Sequence, residues 1–337
     1  MRFRSIIFFL LILSAIVFTS AFYLFNYYTQ KFIFNSELKI VEIKKGESVK
    51  TISKKLQENK VILNDKLFIL YVVFNKLQSS LKAGEYEFSK NITIKEVTDK
   101  LLRGEVKLRK VTIPEGLTVK QIAGIFEKNN LFPESQFLSV LEDQNLKNEL
   151  LGNEVNSFEG FLFPETYKYW KDIEPEEFIR IMVGMFKKVF GELKSQYPIE
   201  NKLSDYEIIK LASIIEKESG SKSELAQISS VFHNRLRIGM KLDSDPTIIY
   251  GLGDSFDGNI RKRDMELFTE YNTYMIPGLP PTPISNPGKA SLHAAINPNE
   301  TKFLYFVSMG NGSHYFSKDY NEHRMAVYKY QIKKSRD

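Results

Sequence analysis

The chain has 337 residues, of which 43% are hydrophobic and 26% charged, enough for two or three small domains with a sizeable core. Its net charge of +6 favours anionic surroundings, but 47 basic residues are dispersed among 41 acids, without the dense basic stripe of a nucleic-acid binder. No cysteine is present, which excludes a disulfide framework and thiolate chemistry and leaves the compartment open.

Ile6 to Phe25 carry no charge, a run long enough to span a bilayer as a helix. Arg2 and Arg4 precede it, and Phe22, Tyr23, Phe25, Tyr27 and Tyr28 crowd its far end like an interfacial aromatic belt. The pattern predicts a transmembrane anchor over residues 6–28, with residues 1–5 cytoplasmic and the rest outside. A cleaved signal peptide ending at Ser20-Ala21 is the alternative; the apolar run continues past that point, which favours a retained anchor.

A repeat follows at an offset of 70. Leu38, Val41, Ile43, Gly46, Val49, Ile52, Leu56, Asn59 and Ile62 correspond to Leu108, Val111, Ile113, Gly116, Val119, Ile122, Phe126, Asn129 and Phe132. Each copy predicts an alternating strand, a glycine turn and an amphipathic helix. A third strand–helix unit, ITIKEVTDKLLRG at Ile92 to Gly104, closes the first module. Further on, EGFLFPETYKYW is dense in aromatics, holds the acids Glu159 and Glu165 and ends on the sole tryptophan, Trp170. Aromatic faces stack on sugars, although such runs more often belong to a core. Residues 176–197 predict an amphipathic helix.

The stretch Ser204 to Gly253 carries the chemistry. Ser204 and Glu207 form a capping box, and Ile208, Leu211, Ile215 and Glu218 fall on one helical stripe that Ser219-Gly220 ends. A carboxyl at the apolar edge of a helix, in its last turn, is desolvated and meets the negative dipole end. Both effects raise its pKa towards that of a proton donor. The same residues also fit a solvated charged cluster, and Glu216, behind Ile209 and Ala212, is a rival position. A second capping box, Ser221 to Glu224, predicts a helix that delivers Asn234 and Arg235, donors suited to sugar oxygens or a carboxylate. Asp245-Pro246 predicts a turn with a new element starting at Thr247, and a proline-rich loop carries Tyr271, Asn272 and Tyr274. FLYFVSMG predicts a closing strand, with His314 after the next turn. Four histidines without a close-spaced pair, and the absence of HExxH, argue against a catalytic metal, and no cofactor is expected.

LASIIEKES, VFHNRLRIGMKLDSDPTIIYGLG, YNTYMIPGLPPTPISNPG and FLYFVSMGNGSHYFS, in this order, resemble the catalytic domain of the MltG/YceG family, membrane-anchored endolytic murein transglycosylases of bacteria. The apolar N-terminus, KAGEYEF and EGFLFPETY extend the resemblance over nearly the whole chain. It implies an α+β fold: an anchor, a LysM-like glycan-binding module over residues 37–106, and a YceG-like catalytic domain over 107–337. Within that domain, 107–135 would be the second repeat copy and 204–316 would hold the core motifs. The family's acid is the Glu before a hydroxyl residue, here Glu218 before Ser219. For Asp245, otherwise a helix cap, and Tyr271, otherwise packing, the resemblance implies a cleft role beside Asn234, Arg235, Asn272 and His314 as substrate-binding residues. The implied reaction cleaves the β-1,4 bond between N-acetylmuramic acid and N-acetylglucosamine with 1,6-anhydro ring closure, terminating nascent strands. The implied setting is the bacterial inner (plasma) membrane with the catalytic domain extracytoplasmic. Peptidoglycan glycan strands and cell-wall synthases would be its partners, and nucleic acid would not. A hydrolytic muramidase using Asp243, Asp245, Glu159 or Glu165 as second carboxylate, and a non-catalytic glycan-binding scaffold, are the alternatives.

Overall fold

A computed structural model describes residues 2–30, 33–34, 37–89, 91–197, 203–218 and 220–333. The chain divides into two units, Met1–Lys110 with Lys168–Ile173, and Val111–Tyr167 with Glu174–Asp337.

The first unit begins with helix α1 (Arg2–Thr29), whose stretch Ile6–Thr29 is long and apolar enough to cross a membrane, as a single-pass anchor or a signal sequence would be. Two-residue strands β1 (Ile33–Phe34) and β4 (Asn91–Ile92) pair antiparallel. Strand β2 (Lys39–Ile43) pairs antiparallel with β3 (Gly84–Phe88), placing Val41 opposite Tyr86. A two-stranded ribbon is marginal by itself. Its inward residues Val41, Ile43, Tyr86 and Phe88 therefore close on helices α2 (Val49–Glu58), α3 (Asp65–Phe74) and α4 (Ile94–Arg103), around Leu56, Phe68, Val72, Val97 and Leu101. The strand expected at ITIKEV is reduced to β4 because Thr93 and Glu96 form a capping box that turns the chain into α4.

The repeat is present in space as in sequence. Strand β5 (Arg109–Thr112) and helix α5 (Val119–Lys128) match β2 and α2 at the offset of 70. In both copies the turn glycine has positive φ, +83° at Gly46 and +76° at Gly116. Ser48 and Thr118 cap the helices, and Asn59 and Asn129 end them. Strand β5 pairs with β6 (Thr166–Tyr169).

The second unit is mostly helical. Short helices α6 (Glu134–Leu141) and α7 (Gln144–Leu151) follow α5, and Phe126 meets Phe132, Phe137 and Phe178 edge to face while Phe132 and Phe137 stack in parallel. Helix α8 (Pro175–Gln196) starts on a proline in its first turn, where the missing N–H costs nothing. Helix α9 (Asp205–Glu218) opens on the expected Ser204–Glu207 capping box. It packs against α10 (Leu225–Arg237), α11 (Asp245–Leu252) and α13 (Lys289–Ile296). Ile208, Leu211, Ile214 and Ile215 are fully buried, each worth roughly 1.5–3 kcal/mol of apolar transfer. The small α12 (Lys262–Glu266), the antiparallel hairpin of β7 (Tyr305–Ser308) and β8 (His314–Ser317), and α14 (Tyr320–Val327) complete the unit.

Two further expectations change. The Ser221–Glu224 capping box does not form: Glu224 takes the cap position without a side-chain cap bond, because its carboxylate binds His314 instead. Asp245-Pro246 is no separate turn but the first turn of α11, a position proline tolerates.

Candidate active site

Glu218 is the last residue of α9, half-buried, and its Oε1 accepts a 2.5 Å hydrogen bond from the Ser244 hydroxyl. Burial pushes its carboxyl up to about 7, the Ser244 bond opposes this, the nearby Asp245 charge adds to it and Arg235 offsets it. The acid can therefore hold its proton near neutral pH and also release it. Ser219 lies outside the described residues.

Ser244 is fixed by a buried set of hydroxyls. Its backbone N–H donates to Thr273 Oγ1 (3.0 Å), Thr247 donates to the Ser244 carbonyl (2.6 Å), and the two threonine hydroxyls lie 2.9 Å apart. Ser244, Thr247 and Thr273 are fully buried, so each of these groups needs the partner it has. Asp243, just before Ser244, sits at φ +46°, a left-handed conformation that Asp tolerates better than most residues. Arg235 holds it there with a 3.2 Å bond, although burial still raises the Asp243 pKa. At the first residue of α11, the exposed Asp245 accepts a 2.8 Å bond from the Tyr274 hydroxyl.

Asp245 and Arg235 thus act on Glu218 electrostatically, and burial together with the Asp245 bond raises the pKa of Tyr274 beside them. Arg235 is 7% exposed and spends its guanidinium on the carbonyls of Leu304, Lys241 and Leu242 as well as on Asp243. Its cation also stands over the Tyr305 ring, 5.1 Å from the centroid. The Asn234 amide donates to the carbonyls of Thr301 and Phe303, and the Asn272 amide to those of Asp264, Met265 and Leu267. The Tyr271 ring packs tilted against Tyr250, with centroids 4.8 Å apart, and its hydroxyl shares a 3.1 Å hydrogen bond with Thr282. His314 bonds through Nδ1 to Glu224 at 2.8 Å.

Among the other acids, Glu216 is engaged by the backbone N–H of Gly288 at 2.9 Å, and Glu165 is exposed. Glu159 is fully buried and accepts from the Val119 N–H, the Tyr250 hydroxyl and Asn286 Nδ2. Two cavities, about 400 Å³ and about 120 Å³, share Glu115 and Lys222 in their lining but not Glu218, so concavity alone does not locate the acid. Ser244, Thr247 and Thr273 do not stand out in the sequence. The pattern LDSDPT, three polar residues ahead of a helix-starting proline, is the signal that could have marked Ser244.

Comparison with known proteins gives a consistent result. A sequence model of the YceG-like family matches residues 41–329. An endolytic murein transglycosylase of Bacillus subtilis (strain 168) is 33% identical over 86% of this chain and 84% of its own. A Streptococcus pneumoniae (serotype 2, strain D39) protein of the same name is 27% identical; it matches 93% of this chain, which spans 63% of the pneumococcal protein. A crystal structure of a yceG-like protein from Listeria monocytogenes superimposes with a TM-score of 0.57 at 33% identity, covering 86% of this chain and 99% of that one.

Proposed function

The chain belongs to the YceG-like family, and from this premise we propose that it is a membrane-anchored endolytic murein transglycosylase with Glu218 as its acid. Relatives named for that activity support the reaction class. The observation that carries Glu218 is its environment: a half-buried helix-terminal carboxyl, raised to about 7 and aimed by a buried serine.

Protonated Glu218 donates to the glycosidic oxygen as the C1–O bond of the muramic acid breaks with oxocarbenium character. The resulting carboxylate takes the proton of the C6 hydroxyl of the same sugar. The freed oxygen closes on C1 and forms the 1,6-anhydro ring. One acid completes both transfers, and no water is consumed. Burial, with a smaller contribution from the Asp245 charge, keeps Glu218 protonated between turnovers, and that charge also suits the cationic transition state. Asn234, Arg235 and Asn272 serve by holding the walls, since their donors are committed to backbone carbonyls. Tyr271 and His314, both partly exposed, are the candidates for direct sugar contact.

In this reading α1 is a retained single-pass anchor with Arg2 and Arg4 on the cytoplasmic side, and the rest of the chain faces the cell wall. Residues 37–106 form a LysM-like glycan-binding module, supported by the sequence resemblance alone. Neighbouring synthases supply the nascent strands. A hydrolytic muramidase is the second reading, favoured by the proximity of Asp245 to Glu218.

Mass spectrometry of peptidoglycan treated with the full chain in detergent, beside Glu218→Gln, separates these readings. Anhydro-ended fragments from the wild type alone are expected. Reducing ends would establish the hydrolase, and retained glycan binding without cleavage by either protein would leave a scaffold.

A further inference from the structure

Glu159 is a fully buried acid that the chemistry above does not use. Its carboxylate oxygens both lie 3.2 Å from the Val119 amide, Oε2 accepts from the Tyr250 hydroxyl at 3.2 Å, and Oε1 accepts from Asn286 Nδ2 at 2.9 Å. These donors lead to both supports of Glu218. Tyr250 is on α11, whose N-cap residue Ser244 bonds the acid. Asn286 exchanges backbone bonds with Gly116 and Leu117. The Gly116 carbonyl accepts from Lys217 Nζ at 3.1 Å, and the Gly288 N–H donates to Glu216. Lys217 and Glu216 are the two residues before Glu218. The neighbouring backbone admits little movement, because a Cβ on Gly160, at φ +89°, would lie 2.6 Å from Pro283.

We propose that Glu159 is a positioning residue for Glu218, bonding through one carboxyl group to Tyr250 of α11, the helix whose N-cap serine bonds the acid, and to Asn286, which leads through Gly116 to Lys217 at the end of α9. The inference rests on Glu218 being the working acid. Burial holds the Glu159 carboxyl up to about 8, so it serves largely as a neutral hydrogen-bonding hub at physiological pH. The titratable and charged groups facing it are Tyr250 of α11, Tyr271 of the following loop and Lys217 of α9.

The test uses the full chain in detergent with Tyr250→Phe, Glu159→Gln and Glu159→Leu. It measures kcat and KM for anhydro-end release, and Glu218 protonation by carboxyl carbon NMR. Tyr250→Phe removes one hydroxyl and is expected to lower kcat about 5–10-fold at little changed KM while moving the Glu218 titration midpoint. Glu159→Gln, whose amide can donate to Tyr250 and accept from Val119, is expected to lose less than Glu159→Leu. Wild-type kcat and an unmoved Glu218 midpoint in Tyr250→Phe would overturn the proposal. So would equal losses in the two Glu159 variants that merely follow their melting temperatures. A wild type that releases no anhydro ends would overturn the transglycosylase reading instead, and the Glu218 titration would still decide the positioning link.

Discussion

The two strand–glycine–helix copies are built alike and used differently. In the first, Gly46 turns the chain in the open, with nothing within 4 Å of where a Cβ would stand. In the second, the same position in Gly116 faces Glu216 Cγ at 3.3 Å, and its carbonyl holds Lys217. Helix α2 begins with Ser48 accepting from Thr51. Helix α5 begins with a full capping box and gives its first N–H to Glu159. Equal local signals therefore specify equal local structure. What the second copy gained is a set of partners far away in sequence, and those partners connect it to the acid.

The comparison predicts its largest effect at the two glycines. Alanine at either positive-φ position costs roughly 1 kcal/mol of backbone strain. Gly116→Ala must also displace Glu216, so we expect kcat for anhydro-end release to fall about tenfold, against less than about twofold for Gly46→Ala. Equal kinetics in the two variants would break the comparison.

The pH dependence of stability sharpens it. In the second unit, burial raises Glu159 to about 8 and Glu218 to about 7, both above the ordinary 4.5. A raised folded-state pKa gives stability that is full below pH 4.5 and lost as pH rises through 7 and 8. In the first unit, a hydrogen bond from Lys171 lowers Glu42, and its contribution is lost as pH falls. Hydrogen exchange followed by mass spectrometry, corrected for intrinsic rates, should show protection of the second unit falling between about pH 5 and 8, with the first unit unaffected. Glu218→Gln should remove part of that fall; a variant with the wild-type slope would contradict the raised acid.

The smallest effects are at the caps. Ser48→Ala and Thr118→Ala should each cost about 0.5–2 kcal/mol: Ser48 loses its bonds to the Thr51 hydroxyl and N–H, while Thr118 loses its bond from the Gln121 N–H and keeps the backbone half of its capping box. Exchange protection should drop in α2 for the first variant and in α5 for the second. A loss shared across both helices would mean that the copies are not locally independent.

Much of this was legible because it is local. The Ser204–Glu207 cap, the stripe Ile208–Leu211–Ile215 and the helix end at Glu218 follow from spacing within a few residues. The offset-70 repeat follows from matching turn glycines and helix periodicity. Glu224 shows the limit: three residues after Ser221 it had the spacing of a capping box, and His314, 90 positions on, took its carboxylate. Asn234, Arg235 and Asn272 were expected to donate to substrate, and their donors bind backbone carbonyls instead. The carbonyls they found could not be foreseen.

The sequence by itself determined the apolar N-terminal helix, the two repeat copies and a carboxyl at the edge of a buried helix, because periodicity and capping act over one or two turns. The tertiary structure decided which serine aims that carboxyl, and it joined Glu159 to Val119, Tyr250 and Asn286 across 40, 91 and 127 residues. The physical reason is that buried polar groups must be paired, but their pairing has no period along the chain, so only the packed core selects the partners.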